Sequence, residues 1–547
     1  MSTFGTLRAL HALIGDAIDD IHRVFTDESP SPSESYAPDF PSPETPYDPT
    51  SPAELLAAHP LASAAASRIV AASGHLAALV QKPFLVLCDA SMAHNLPASL
   101  RLLEHMHIVE ILRDAEDARQ AHLDAVGLNS NPEGLHVRDI ARVIRQHSGA
   151  RIDHERLAHT LRLLATHHLL RETAPDVFAG TRVASLLDTG KTPGACFASP
   201  EKKYENTDGV AAFVGLCTDE LFKSAAYLTE AFVGVQLPSS STCTSPSCAA
   251  TATATPAPIP ATDALLPATD ADPDPLPAFN IAFQTASPYF EWLEDGGRDA
   301  RGGDGAMTGT SGWEAPGAIL SGFDWHALPR GATIVDVGGG IGSTTMVLAR
   351  AAGCTNHRDR DYDFKFVVQD RPVVVGLGLQ AWRAQCAEML EEGRVVFQEH
   401  DFFAPQPPRA APPAVFLLRV VLHDWPDDAA RRILLRLREA AGGGTRLIIA
   451  DHVLPLACVD EELGWGGVDA GSEGEGAERT LASAPLLPNL GKASANAYWM
   501  DLTMHSMFNG KERTLRELCA LALSAGWRVT RVTRAEGSLF GHLVCEP

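Results

Sequence analysis

The stretch from Thr333 to Arg350, which reads TIVDVGGGIGSTTMVLAR, constrains the fold more than any other part of the chain. Its first residues are apolar and β-branched, which is typical of a buried parallel strand. Four glycines follow, at Gly338, Gly339, Gly340 and Gly342. Glycine allows positive φ angles and a close approach of the backbone to a ligand. The strand, the glycine turn and the helical pattern after it predict the start of an α/β domain that binds a ligand at the turn.

The spacing of these glycines distinguishes two kinds of nucleotide-like ligand. A dinucleotide fingerprint requires G-x-G-x-x-G/A, and counting from Gly338 places Ser343 at the third glycine position. The string from Asp336 to Gly342 instead reads D-x-G-x-G-x-G, which resembles the first motif of S-adenosylmethionine methyltransferases. This resemblance implies that the glycines face the methionine part of S-adenosylmethionine. A glycine turn without a ligand is the alternative.

Composition excludes several classes of protein. Hydrophobic residues make up 45% of the 547 residues, which is enough for a packed enzyme. The formal net charge of -24 repels phosphate backbones and anionic lipids, so we expect neither a nucleic acid nor a membrane as partner. The ten cysteines form no C-x-x-C pair, which predicts reduced thiols and a cytoplasmic location. No stretch is expected to cross a membrane.

Changes in composition and periodicity predict four parts of the chain. Segments rich in Ser, Pro and acidic residues cannot bury enough apolar surface to fold alone. The parts are residues 1–98, with amphipathic helices and a disordered Ser/Pro-rich insert at 27–51; residues 99–230, a winged-helix domain; residues 231–276, a low-complexity disordered insert; and residues 277–547, a catalytic domain with an acidic, glycine-rich loop at 456–495.

The predicted winged-helix domain consists of helices followed by a short hairpin, and Asp153 is the expected N-cap of its last helix. Such a unit is able to bind DNA, which makes a winged-helix regulator the main non-enzymatic alternative. However, the segment from His154 to Leu169 carries Arg156 and Arg162 without a basic cluster for phosphates. This composition favours a role in packing.

After the glycine turn, apolar runs alternate with helical patterns, as a doubly wound parallel sheet requires. Ligands of such sheets bind at the carboxyl ends of the strands. Charged residues fall at or near these ends, at Asp336, Asp370, Asp401, Arg419 and Asp451.

Three further strings identify a specific family. They are RVVLHDWPDD at Arg419 to Asp428, QDRP after the second strand, and NGKERT at Asn509 to Thr514. Together they resemble the plant and fungal small-molecule O-methyltransferases of the caffeate and hydroxyindole type, and most of all the fungal secondary-metabolite members. The resemblance implies a Rossmann-like class I methyltransferase domain with a seven-stranded sheet and helices on both faces. It also implies a homodimer formed through the winged-helix domain.

The resemblance assigns the cofactor contacts. Asp370 matches the acid that accepts the ribose hydroxyls, and Asp401 with Phe402 matches the pair at the adenine. Arg419 replaces a lysine that is common in plant members and would contact the methionine end of the cofactor. Asp336 is expected to support the glycine turn. A carboxylate at a strand tip suits this chemistry because it accepts two hydrogen bonds.

The same resemblance makes His423 the general base, with Asp451 and Glu512 as the acids that flank it. Reference pKa values of about 10 for a phenol and about 6.5 for histidine make proton transfer uphill by about 5 kcal/mol. A nearby carboxylate lowers this cost by stabilising the imidazolium. Asp424 is expected to cap the following helix. No cluster of carboxylates suggests magnesium, so no metal is expected.

The segment before NGKERT is helix-like, and its Trp499, Met504 and Phe508 are expected to line the pocket of an aromatic acceptor. A second aromatic segment, from Phe283 to Trp313, is either core or a pocket wall. The predicted reaction is methyl transfer from S-adenosylmethionine to a hydroxyl, which we expect to be phenolic. A relative that catalyses another reaction in the same pocket and an inactive scaffold are the remaining alternatives.

Overall fold

The computed structural model describes residues 2–27, 38–126, 134–234, 276–294, 317–353, 363–458, 482, 484–534 and 540–547. Most of the predicted insert at 231–276 and much of the predicted loop at 456–495 lie outside these residues, as does Trp313. The disorder predicted for the insert, the loop predicted at 456–495 and the placement of Trp313 therefore stay predictions where the residues are not described.

The chain begins with helices that pack on one another. Their bounds are α1 Thr3–Asp27, α2 Pro52–Ala57, α3 Pro60–Val80, α4 Pro83–Met92, α5 Asn95–His105 and α6 Ile108–Val126. Leu10 of α1 packs with Ala71 and Ala72 of α3, because small alanine side chains allow close contact between helices. The first helix, for which the sequence shows no nearby partner, thus lies against a helix of its own chain.

The helix α3 corrects one expectation. By length and composition alone it is able to cross a membrane, and only 17% of its most apolar window is buried. A single helix of this kind is weak evidence for a membrane span, since helices of soluble proteins pass the same test. Moreover, Arg68 of α3 forms an ion pair with Asp20 of α1, so one side of the helix carries a charge that the bilayer interior would penalise.

Residues 38–51 also differ from the prediction of a disordered insert at 27–51. Arg182 donates its backbone N–H to the carbonyl of Pro43 at 2.9 Å. The Tyr47 N–H donates to Ser185 Oγ at 2.8 Å, and the Arg182 guanidinium lies 5.6 Å from the Tyr47 ring centre. This part of the predicted insert therefore lies against the winged-helix unit.

The winged-helix unit contains α7 Val137–Ser148, α8 His154–Thr166 and the strands β1 Leu135–His136, β2 Arg171–Ala174 and β3 Val177–Ala179. The strands pair antiparallel in the order β1-β3-β2. Asp153 caps α8 by accepting from the N–H groups of Glu155 and Arg156, which confirms the predicted cap. Arg162 pairs with Glu172 and Asp176 at the wing, so its charge is already engaged within the unit.

Short helices connect this unit to the sheet. They are α9 Pro193–Ala198, α10 Val210–Leu216, α11 Phe222–Ala225, α12 Leu228–Phe232, α13 Ala278–Phe283 and α14 Tyr289–Glu294. A π-helical turn at Cys217–Leu221 links α10 to α11.

The larger sheet has the strand order β10-β11-β8-β7-β4-β5-β6, and the short β9 pairs with β8. The strands are β4 Thr333–Val337, β5 Lys365–Asp370, β6 Val395–Glu399, β7 Val415–Arg419, β8 Arg446–Leu454, β9 Arg513–Thr514, β10 Arg528–Arg534 and β11 Phe540–Glu546. The helices around them are α15 Ala318–Ser321, α16 Ser343–Gly353, α17 Pro372–Gln385, α18 Ala387–Glu391, α19 Asp427–Ala440, α20 Ala495–Phe508 and α21 Leu515–Ser524. The predicted seven-stranded sheet with helices on both faces is confirmed, and β9 adds a short eighth strand. The sheet is parallel apart from β11, which runs antiparallel to β8 and β10.

Two apolar cores cover the faces of this sheet. One joins Ile433 and Leu518, from α19 and α21, to Trp527. The other joins Met346 of α16 and Trp382 of α17 to the opposite face. The strand order reverses at β4, whose neighbours are β5 on one side and β7 on the other. This reversal separates the connections on the two faces and opens a crevice at the carboxyl ends of the strands.

Candidate active site

The glycine turn joins β4 to α16 and has left-handed backbone at Gly338, Gly340 and Gly342, with φ angles of 67°, 59° and 78°. A Cβ atom at Gly338 would lie 2.9 Å from Val421 Cγ2, so a side chain would not fit there. Gly338, Gly339 and Gly340 line a large cavity. The turn therefore leaves a cradle of bare backbone, as a closely bound ligand requires.

Gly342 has a different surrounding from the other three glycines. A Cβ atom at this position would lie 2.7 Å from Trp382 Nε1, and that indole nitrogen donates to the carbonyl of Ile341 at 3.0 Å. Gly342 is not among the cavity-lining residues. It shapes the turn against α17, whereas the sequence predicted a direct cofactor contact.

The cavity extends from the glycine turn to the connecting helices and has a volume of about 2590 Å³. Pockets for small ligands usually measure about 300–1,000 Å³, so the space is ample for a cofactor and an acceptor together. Its lining includes all the remaining residues predicted to bind the cofactor: Asp370, Asp401, Phe402 and Arg419.

Two carboxylates at neighbouring strand ends line the part of the cavity where the sequence predicts the cofactor. Asp370, at the end of β5, accepts from the N–H groups of Arg371 and Gly340, each at 2.8 Å. Burial raises the pKa of Asp370 above its usual value. Asp401 follows β6 and accepts from the Phe403 N–H at 2.9 Å. Asp370 thus fixes the glycine turn through one oxygen while facing the same cavity.

Two further side chains complete this side of the cavity. The Phe402 ring packs edge-on against Trp425 at 5.8 Å between ring centres. The Arg419 guanidinium lies 5.3 Å from the centre of the Phe540 ring. Asp336 is buried and accepts from Thr345 Oγ1 at 2.6 Å, and burial raises its pKa to about 6. Its contact with the helix after the turn agrees with the supporting role expected for it.

His423 lies on a short 3-10 turn, Leu422–Asp424, between β7 and α19, and is 8% exposed. Its Nδ1 is 2.7 Å from Glu512 Oε1. Its Nε2 is 3.5 Å from Asp424 Oδ1. Both His423 and Asp424 line the cavity. Because Glu512 engages Nδ1, Nε2 is the ring nitrogen outside that contact.

Three carboxyl groups set the charge of His423: those of Glu512 and Asp451 are buried, and that of Asp424 is partly exposed. Burial alone would lower the pKa of the imidazole, but the carboxylates of Glu512, Asp424 and Asp451 outweigh it and raise the pKa to about 10. Burial raises the pKa of Asp451 to about 7 and that of Asp424 to about 6. In the described part of the chain, neither Asp451 oxygen has a hydrogen-bond partner. The cluster therefore favours an imidazolium at His423.

The position of Asp424 was predicted incorrectly. The N-cap residue of α19 is Pro426, and no side chain caps that helix. Asp424 instead turns toward His423 Nε2. Asp424 follows His423 directly in the HDW string, which was a sequence signal for a contact between the two residues. However, only the fold of the 3-10 turn shows the direction in which the carboxylate points.

The helix α20 places two of the three predicted acceptor residues in the cavity. Met504 and Phe508 line it. Trp499 is not among the residues that line the cavity, so the prediction for it is wrong. Its side chain is 57% exposed, and the Lys492 ammonium lies 4.6 Å from its ring centre. Met504 and Phe508 are four residues apart and share a helix face, while Trp499 is five residues before Met504 and points elsewhere.

The aromatic segment before the sheet contributes both to the apolar core and to the wall of the cavity. Tyr289 and Phe290 line the cavity, and Phe290 stacks on Phe508 with ring centres 5.3 Å apart. Phe283 and Trp292 belong to the apolar cluster behind them. The part of the segment nearest α20 thus forms a flat aromatic wall.

A separate group of possible metal ligands lies in the N-terminal half. Ligand atoms of His107, Glu110 and Cys196 lie within 4.8 Å of one another, and all three residues are buried. The Lys203 ammonium lies 3.6 Å from the Glu110 carboxylate and 2.7 Å from that of Glu104. This ammonium already supplies a positive charge, so we assign no metal to the group.

Comparison with known proteins identifies the family. Residues 315–482 match the model of the O-methyltransferase domain. An O-methyltransferase of Armillaria gallica is 34% identical over 485 residues, which cover 88% of each chain. A 4-O-methyltransferase of Phanerochaete chrysosporium is 33% identical over 531 residues, which cover 97% of this chain and 96% of the relative. The chain belongs to the S-adenosylmethionine-dependent O-methyltransferases. The predicted family and cofactor are thereby confirmed.

Solved structures support the fold of this O-methyltransferase. The mitomycin 7-O-methyltransferase MmcR matches with a TM-score of 0.53 and 17% identity, over 84% of this chain and 97% of that one. LepI, in complex with S-adenosylmethionine, matches with a TM-score of 0.56 and 17% identity, over 88% and 94%. At this level of identity the likeness concerns the architecture alone.

Proposed function

We propose that this O-methyltransferase transfers the methyl group of S-adenosylmethionine to a phenolic hydroxyl of a small aromatic metabolite, with His423 as the general base. The observation that carries the proposal is the 2.7 Å contact between His423 Nδ1 and the buried Glu512 carboxylate, at the edge of a cavity that the predicted cofactor residues also line. The fungal relatives named as O-methyltransferases support the reaction class.

The residues of the cavity fit the cofactor. The cradle at Gly338 and Gly339, which a Cβ would fill, accepts the amino-acid part. Asp370 would accept hydrogen bonds from the ribose hydroxyls, Asp401 would accept one from the adenine amine, and Phe402 would pack on the adenine ring. When bound, S-adenosylmethionine supplies an electrophilic methyl group on a positively charged sulfur. The fold contributes a binding surface in which both carboxylates stand at strand ends.

The acid–base chemistry follows from the pKa of His423. The carboxylates raise this pKa to about 10, close to the reference value of about 10 for a phenol. Transfer of the phenolic proton to a neutral His423 Nε2 is then nearly balanced, whereas an unperturbed histidine would make it uphill by about 5 kcal/mol. Glu512 accepts from Nδ1–H and stabilises the imidazolium that forms. The turnover rate should therefore rise with pH as the neutral form of His423 becomes populated.

The acceptor side of the cavity favours a planar ring. Phe290 and Phe508 stack with an interplanar angle of 18°, and Tyr289 meets Phe508 edge-on at 5.8 Å. Aromatic rings gain from such offset and edge contacts beyond simple burial. Met504 adds an adaptable apolar contact.

We also propose that two copies of the chain associate through the N-terminal helices. The helix α4 has no buried residue, although Phe84 and Leu87 are among its apolar side chains. An apolar helix face of this kind is favoured to bind a second apolar surface. Sedimentation velocity should show a dimer, and L87E should shift it to monomers, whereas a monomeric wild type would contradict the proposal.

The function is tested by incubating the protein with radiolabelled S-adenosylmethionine and a panel of phenols. The variants H423A and H423Q should bind S-adenosylhomocysteine as the wild type does but lose methyl transfer. His159, which is exposed on α8, provides the control variant H159Q, which should keep full activity. Wild-type turnover in H423Q would remove His423 from its assigned role.

A further inference from the structure

Arg513 lies directly after Glu512, yet the chemistry described above does not use it. It is only 2% exposed. Its Nη1 donates to the carbonyl of Leu422 and its Nη2 to that of Trp425, each at 2.7 Å. Its Nε donates to Asp427 Oδ1 at 3.0 Å. The two carbonyls stand immediately before His423 and immediately after Asp424, so the guanidinium fork spans the turn that carries the base.

Two neighbours of Arg513 join the same segments. The Lys511 N–H donates to the carbonyl of His423 at 2.9 Å. A Cβ atom at Gly510 would lie 2.1 Å from that carbonyl oxygen, so only glycine permits this approach. The backbone of Glu512 is fixed in turn, because its N–H donates to Asp501 Oδ1 at 2.9 Å. The segment from Gly510 to Arg513 is thus tied to the His423 turn on one side and to α20 on the other.

Arg513 also contributes charge to the buried cluster. The cluster contains the carboxyl groups of Glu512, Asp424 and Asp451 around His423. Burial raises the pKa of Asp451, and the charges of His423 and Arg513 act against this rise. An arginine is fully charged at all relevant pH values, so it contributes a constant positive charge.

We propose that Arg513 is a positioning residue that sets the contact between His423 and Glu512 by clamping the two chain segments together. Its fork fixes the turn from Leu422 to Trp425 relative to β9, and Glu512 is the residue immediately before it on the same segment. The inference rests on the proposed role of His423. The new element is that Arg513, which does not contact the acceptor, holds His423 and Glu512 in position.

The variants R513K and R513M separate the two contributions. R513K keeps a positive charge but loses the planar fork, while R513M loses both. Arg516, exposed three residues later in α21, provides the matched control R516M. In folded R513M, the affinity for S-adenosylhomocysteine should stay within about threefold, while kcat falls about 10- to 100-fold, since small misplacements of catalytic groups have effects of this size. R513K should lose kcat and move the rise of its pH profile to lower pH, because the fork is lost while the charge stays, and R516M should match the wild type.

A double-mutant cycle with E512Q distinguishes positioning from general support of the fold. If Arg513 acts through the His423–Glu512 contact, R513M should reduce kcat much less in an E512Q background than in the wild type. Additive losses, or an unchanged kcat in folded R513M, would overturn the proposal. If R513M fails to fold, R513K takes its place in the same cycle.

One measurement is independent of the proposed reaction. The titration of His423, followed by NMR of histidine labelled with ¹³C, should move to lower pH in R513K, because the contact of His423 with Glu512 loosens while the positive charge at position 513 stays. If H423Q kept its turnover, the proposed function would fail, yet this titration would still test the clamp. An unshifted titration in folded R513K would overturn the role of Arg513 alone.

Discussion

Binding of a positively charged cofactor should expel a proton from His423. The imidazole is held as a cation by Glu512 at 2.7 Å and Asp424 at 3.5 Å, with a pKa raised to about 10. S-adenosylmethionine adds a positive charge to the same cavity, whereas S-adenosylhomocysteine has a neutral sulfur and otherwise the same groups. Replacing S-adenosylmethionine by S-adenosylhomocysteine therefore removes one positive charge near His423 and changes little else.

The expected size follows from Coulomb's law. In-line transfer with His423 as the base would place the acceptor oxygen between Nε2 and the methyl group, and the sulfur would then lie on the order of 7 Å from Nε2. At an effective dielectric constant of about 20 the repulsion is about 2.4 kcal/mol, or about 1.7 pKa units. The sign is downward, because a nearby cation disfavours the imidazolium. At a pH of about 9, the protonated fraction of His423 should fall from about 0.9 to about 0.2.

Isothermal titration calorimetry in buffers of different ionisation enthalpy counts the protons released. S-adenosylmethionine should release about 0.7 proton more from the wild type than from H423Q at a pH of about 9, and S-adenosylhomocysteine should show almost no such difference. H423Q serves as the reference because the amine of the ligand titrates in the same range. Equal release from both proteins would refute the reasoning.

Four further predictions follow from the geometry. The pKa of His423 is about 10 in the folded protein and about 6.5 in the unfolded chain. His423 should therefore stabilise the fold fully below a pH of about 6.5, and this stabilisation should disappear as pH rises through about 10. The melting temperature of H423Q should not show this pH-dependent decrease. D370N should weaken S-adenosylhomocysteine binding about 10-fold or more in calorimetry, because charge-assisted hydrogen bonds to the ribose are lost. W499A should leave KM for the phenol unchanged and F508A should raise it, so an equal effect in steady-state kinetics would contradict the assigned cavity wall. G342A should cost about 1–3 kcal/mol in urea unfolding, because φ is 78° and Trp382 occupies the space, and an unchanged midpoint would contradict this.

Local signals determined much of the fold from the sequence alone. The apolar run before the glycines and the alternation of strands and helices after it depend on near neighbours in the chain, and they predicted the parallel sheet that the structure shows. Asp153 as a helix cap is another local feature that was predicted correctly. The string around His423 likewise marked the loop at the end of β7, since short motifs keep their neighbours in sequence.

Tertiary packing decided what these local signals do not contain. His423 and Glu512 are 89 residues apart in the chain, so only the approach of β9 to the 3-10 turn brings their side chains together. The same packing directs Asp424 toward the base and Trp499 away from the cavity. The proposed clamp depends on hydrogen bonds from Arg513 to backbone carbonyl groups. Every residue has such a carbonyl, so the side chains in the sequence do not indicate which ones Arg513 contacts. The sequence therefore determined which helices and strands form. Their arrangement in space determined which side chains meet, because the contacts of a side chain depend on where it is buried and in which direction it points.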